Sequence, residues 1–194
     1  MKHAADRYDA VTIILHWLIA LLILGQICLG FVMARLPIDP GLQFSLFQWH
    51  KSFGLLALLL ASIRLVHSFI WVRSTPAKGV SRIEYGIART MHYLLILLAV
   101  CIPVAGWMIV SVSPLEIPTF VFNLFVMPHL PVAKSDAAEA LWTSVHTCLA
   151  YTLLVLVLIH SAAALYHHYR RRDEVLTRML GIRPRPARTT IGDY

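Results

Sequence analysis

Charged positions are rare along this chain and fall in clusters, and between the clusters run long uncharged apolar stretches at 11–33, around 53–63, at 93–112 and at 141–166. Counted with its flanks, each stretch reaches the roughly 20 residues needed to cross a hydrocarbon core about 30 Å thick. The pattern predicts an all-α integral membrane protein, a bundle of four transmembrane helices. The first helix is expected to stop at "RLPIDPG", where two prolines and a glycine interrupt the run. The second is expected to begin around "FSLFQWHKSFG" and leave at "WVRSTPAKG". The third starts after "SRIEYGIART" and carries Pro103 and Gly106, which should kink it. The link between the last two helices is apolar but broken by Pro114, Pro118, Pro128 and Pro131. It is too interrupted to span and is placed as an interfacial flap. The reading gives a membrane domain at 7–172 and a basic tail at 173–194, whose end, "RPRPARTTIGDY", is expected to be disordered.

Composition agrees with the pattern. Of 194 residues, 58% are hydrophobic and 14% charged, against about 25% charged in a soluble domain. The first apolar run is too long for a secretory signal core and no small-residue cleavage pattern follows it, so it is expected to stay in the mature protein. A net charge of +7 raises the question of nucleic acid. The placement of the charge answers it. Basic residues collect before the first helix, between the second and third, and after the fourth, whereas the other two loops offer only Arg35 and Lys134, with Lys51 at a helix border. This is the positive-inside pattern. It predicts both termini in the cytoplasm and the tail against anionic headgroups. Cys28, Cys101 and Cys148 lie in apolar runs and read as small buried hydrophobes, not as a disulfide framework, and no C-x-x-C-H stretch is present to attach a c-type haem.

Ten histidines are harder to place in so apolar a chain, because ionisable groups within a bilayer are costly and usually functional. His3 and His168 fall at or beyond the cytoplasmic border and His129 in the flap, where they read as surface residues. The stretch "HTCLAYTLLVLVLIH" has a histidine at each end, His146 and His160. Fourteen residues turn about 1400° and rise about 21 Å, so the two share a helix face near opposite sides of the membrane. In an antiparallel bundle His16 matches the depth of His160, and His50 that of His146. Two depth-matched pairs so far apart cannot combine into one zinc site. A proton relay would be expected to include carboxylates, and the four apolar runs contain none. Two b haems, each held by one pair, fit best. Arg64, fourteen residues after His50, falls at the inner level, where a haem propionate would neutralise it; the alternative is that it snorkels to the border.

Taken together, "RYDAVTIILHWLIALLIL", "WHKSFGLLALLLASIRL", "MHYLLILLAVCIPVAGW" and "HTCLAYTLLVLVLIHSAAALYHHY" resemble the bacterial cytochrome b561 family over roughly residues 7 to 172. The resemblance implies two haem b groups, with His16 and His160 as the inner axial pair and His50 and His146 as the outer. It implies exchange of electrons with membrane quinone, ubiquinone in the branch that oxidises superoxide at the outer face. "HSAAALYHH" is especially like that branch and places His167 at its quinone-linked histidine. His167 lies two turns beyond His160, about 10 Å nearer the cytoplasm, with Arg170 on the next turn; His92 is a second candidate for the quinone. Lys51, beside His50, could draw in an anionic substrate. The outer surface is otherwise not markedly basic, since Asp39, Glu116, Asp136 and Glu139 offset Arg35, Lys51 and Lys134.

The leading expectation is a quinone-linked oxidoreductase or electron-carrying cytochrome, with superoxide or another periplasmic donor. A haem b membrane subunit serving a dehydrogenase or hydrogenase is the nearest alternative. A histidine-lined ion transporter and a cofactor-free structural subunit are the readings from other classes. Nucleic acid is not an expected partner, the lipid bilayer is, and a homo-oligomer is compatible with the sequence.

Overall fold

A peptide group inside hydrocarbon finds no water to bond, so a spanning segment must pair its own N–H and C=O groups. Four helices do so here: α1 (Ala10–Arg35), α2 (Pro40–Ile70), α3 (Arg82–Val112) and α4 (Asp136–Tyr166). Each is long and apolar enough to cross a membrane. The computed structural model describes residues 8–70 and 81–182.

Three helices begin earlier than the apolar runs, because capping chemistry, not hydrophobicity, sets their starts. The Asp39 carboxylate accepts from the backbone N–H groups of Gly41 and Leu42 at the start of α2. Ser81 and Glu84 form a reciprocal capping box on α3. Ser135 caps α4, with Asp136 and Glu139 in its first turn, where the helix dipole favours negative charge. α3 keeps a single helical run through Pro103 and Gly106.

Cross-links at each end show the antiparallel order. At the termini end, Arg64 Nη1 donates to the Thr12 carbonyl (2.8 Å), His67 Nε2 lies 3.6 Å from the Asp9 carboxylate, and Arg171 pairs with Glu84. At the opposite end, Gln43 donates to the Met33 carbonyl (2.9 Å) and the Ser135 N–H to that of Val112 (2.9 Å). α3 packs most extensively on α4, α1 packs on α2, and α2 on α3. α4 makes little direct backbone contact with α1 or α2, and side chains bridge that side of the bundle. Large apolar side chains such as Leu21, Phe31, Leu59 and Leu158 are exposed around the perimeter, as a lipid-facing surface requires.

The flap contains a short antiparallel hairpin, β1 (Thr119–Val121) and β2 (Phe125–Met127), with Phe120 opposite Val126. It sits on the end of α2. The Ser52 hydroxyl, almost wholly buried, accepts from the Phe122 N–H (3.0 Å) and lies within hydrogen-bond range of the Gln48 and Phe120 carbonyls. Trp107 Nε1 and the Ser111 hydroxyl hold the later part of the flap to α3, through the Pro128 carbonyl and the Leu130 N–H.

The first residues of the expected tail fold back on the bundle. α4 passes into a π-helical turn (His167–Arg171), Arg172 adopts the left-handed conformation, and the chain folds back as α5 (Val175–Met179). Trp17 Nε1 of α1 donates to the Met179 carbonyl (3.1 Å). The reversal is local backbone geometry with no signature in apolar periodicity. "RPRPARTTIGDY" lies outside the described residues, as do His3 and the basic residues Lys2, Arg7, Arg73 and Lys78.

Candidate functional site

α4 is unbroken from Asp136 to Tyr166, so His146 and His160 project from one helix at two depths. Toward the hairpin end, the His146 ring faces that of His50 with centres 6.1 Å apart and planes at 74°. Toward the termini end, the rings of His160 and His16 stand 6.2 Å apart at 66°. An imidazole nitrogen binds a first-row metal at about 2.0–2.1 Å and lies about 1.1 Å from its ring centre, so two rings flanking one metal atom stand roughly 6.2–6.4 Å apart. Both pairs stand within about 0.1 Å of that spacing. His92 of α3 also approaches His160, but at 5.2 Å, a direct edge contact too short for the same arrangement.

The immediate surroundings of the rings fit the same chemistry. The Ile102 carbonyl can only accept, so its 3.0 Å bond to His146 Nδ1 puts the proton there and leaves Nε2 as a lone-pair donor. Two glycines let rings lie against helix backbones. A Cβ at Gly30 would stand 3.4 Å from His50 Cε1, and one at Gly106 3.3 Å from His146 Cε1 and 3.4 Å from its Nδ1. Gln26 Nε2 donates to the His50 carbonyl (2.8 Å) and fixes that turn of α2 against α1. His50 Nδ1 is buried without a hydrogen-bond partner among the described residues, so no bond from the described protein fixes its tautomer. Flat, axially held groups such as haem b suit paired imidazoles in a bundle core. Among the described residues no three His, Cys, Asp or Glu side chains are arranged to hold an ion. The three cysteines are free thiols.

The remaining sequence candidates take varied positions. Arg64 lies at the level of His16, His92 and His160 and within electrostatic range of all three. A protein carboxylate is also near it. Asp9, at the N-cap of α1, is within electrostatic range, because the turn before the first apolar run folds toward α2. His92 faces inward against His160. Lys51 donates to the Pro118 carbonyl (3.2 Å) and so ties α2 to the flap. His167 closes α4 and pairs through Nδ1 with Asp173, while Arg170 is exposed. Gly30, Gly106, Gln26 and Asp173 were not legible as site residues. Their roles depend on a neighbouring helix or on a chain reversal.

Comparison with known proteins points the same way. Residues 7–181 match the family described as prokaryotic cytochrome b561. The cytochrome b561 homolog 2 of Escherichia coli (strain K12) is 31% identical over 176 residues, covering 91% of this chain and 92% of its own. The probable superoxide oxidase CybB of Yersinia pestis is 26% identical over 174 residues, 90% of this chain and 96% of its own. Cytochrome b562 of Cereibacter sphaeroides is 27% identical over 185 residues, 92% and 96%. Four spanning helices with paired core histidines, and a family match over nearly the whole chain, lead to one conclusion: the chain belongs to the prokaryotic cytochrome b561 family, membrane electron-transfer proteins that use haem b.

Proposed function

We propose that this cytochrome moves electrons between a donor at the outer face of the bacterial inner membrane and the quinone pool, through two b haems. His50 and His146 hold the outer group, His16 and His160 the inner. The observation that carries the reading is the equal separation of the two imidazole pairs, 6.1 and 6.2 Å, each at the spacing of a two-imidazole metal site. When bound, haem b supplies a one-electron iron couple that side chains alone do not offer. The protein's own residues do the rest. Glycines seat the rings, the Ile102 carbonyl orients His146, and Arg64 supplies a fixed positive charge at the inner level, where it would meet a propionate.

Ubiquinone is the proposed acceptor, with its ring approaching His167 at the termini end. The distribution of basic residues supports a cytoplasmic position for that end. Superoxide is the proposed donor on the strength of the Yersinia relative's name. Lys51 beside His50 would favour an anion, although the Pro118 carbonyl shares its ammonium. A reduced-minus-oxidised visible spectrum, with haem counted per protein, tests the assignment. Two haems are expected in the unaltered protein and about one in His50→Ala, His146→Ala, His16→Ala or His160→Ala. A colourless protein after expression with ample haem overturns the reading. Retention of both haems in all four variants overturns the pairing.

A further inference from the structure

At the end of α4 the helix gives up its regular ladder. His167–Arg171 form a π-helical turn, and Arg172 follows with φ 55° in the left-handed region. π turns in helices are frequent at functional sites, and a non-glycine residue held at positive φ costs free energy that the surrounding structure must offset. The distortion accomplishes one thing. It turns the chain back so that the Asp173 N–H bonds the His167 carbonyl (3.2 Å) and the Asp173 carboxylate meets His167 Nδ1. An undistorted helix would carry residue 173 about 9 Å further along the axis. Side-chain exposure is 21% for His167 and 13% for Asp173, so the pair is largely screened from solvent, and the carboxylate meets the ring at Nδ1 and not at Nε2. On the adjoining elements Arg171 pairs with Glu84 of α3, and Arg178 pairs with Glu174.

We propose that Asp173 is the positioning residue of a proton-delivering pair, and that it holds His167 with Nδ1–H toward its carboxylate and Nε2 toward the quinone. This rests on the reading of His167 as the quinone-facing histidine. Reduction of a quinone to a quinol takes two electrons and two protons. The electrons arrive singly from the donor side. When His167 is an imidazolium, its Nε2–H bond breaks as an O–H bond forms at one quinone carbonyl oxygen, and cytoplasmic water reprotonates the ring. Water delivers the second proton to the other oxygen. The Asp173 carboxylate accepts from Nδ1–H, which fixes the tautomer and keeps the ring from turning, as an acid partner does for a catalytic histidine in general.

The experiment uses the haem-loaded protein in lipid nanodiscs, reduced chemically and then mixed with a short-chain ubiquinone or with ferricyanide, which takes an electron and no proton. Asp173→Asn is expected to lower kcat for quinone at least about tenfold, with KM within about twofold and a larger solvent deuterium isotope effect. Ferricyanide oxidation should be unchanged. In ¹⁵N-histidine spectra the Nδ1–H form of His167 should be lost from the variant. Asp173→Glu keeps a carboxylate, should restore part of the rate, and carries the test if the Asn variant assembles poorly. Unchanged quinone kinetics in Asp173→Asn, or equal slowing with ferricyanide, overturns the proposal and leaves the haem assignment standing. No quinone turnover in the unaltered protein overturns the acceptor reading itself, and this pair's role with it.

Discussion

At the level of single residues, the imidazole pairs are held by what is missing beside them. A Cβ on Gly106 would press on His146 Cε1 and Nδ1 at 3.3 and 3.4 Å, and the ring cannot retreat without losing its bond to the Ile102 carbonyl. On the proposed assignment of one haem to His50 and His146, Gly106→Val should therefore cost that haem, about half the total, while Gly25→Ala serves as control because nothing lies within 4 Å of its added carbon. Haem-to-protein ratio after purification checks both; full loading of Gly106→Val would show that the close approach is not needed. Arg64 makes an electrostatic prediction. Arg64→Leu removes a cation that disfavours the oxidised, more positive state, so the inner reduction potential should fall by on the order of tens of millivolts in a redox titration. Arg64→Lys should keep most of it. The two pairs were legible because fourteen residues, about four helical turns, put His146 and His160 on one face, and antiparallel packing matches His50 and His16 to their depths. The glycines were not, since their role exists only once another helix's ring lies against them.

Among the elements, the four helices were legible from apolar length alone, because the bilayer imposes that length. Their starts were not. Asp39, Ser81 and Ser135 extend α2, α3 and α4 beyond the apolar runs through side-chain capping. The hairpin was hidden for a related reason. Its strands are three residues each, and proline spacing signals only that the segment cannot span. What forms the hairpin is a buried hydroxyl on a different element. Ser52 serves the Phe122 N–H and a neighbouring carbonyl, while Phe122, itself at φ 49°, packs edge-on against Phe53 and Trp49. Ser52→Ala leaves a buried donor unmatched, at about 1–3 kcal/mol. The cost should appear locally. Hydrogen exchange of the amides at 119–127 should quicken while α3 and α4 keep their protection; uniform protection in the variant would show that the hydroxyl does not anchor the hairpin.

For the whole molecule, the consequential feature is that α4 contributes one histidine to each level and stands off from the helices that contribute the partners. A single rigid element thus fixes the vertical separation, and the two pairs remain independent in their other members: α2 supplies His50 to one, α1 His16 to the other. The ends differ in kind. The hairpin end is closed by a flap clamped to α2 and α3, with Trp49 and Lys51 flanking His50. The termini end carries the folded-back α5 and the His167–Asp173 pair. This polarity predicts vectorial behaviour. In vesicles of known orientation, His50→Ala should still let quinol reduce the remaining haem from within the bilayer, because the inner level is intact. A membrane-impermeant reductant at the outer face should reduce it far more slowly than in the unaltered protein. His16→Ala should invert the result, with the outer reductant effective and quinol not. Stopped-flow absorbance of the two variants checks the pair of outcomes together. If both variants respond alike to both reductants, the levels do not lie in series between the two faces, and the sided electron path is wrong.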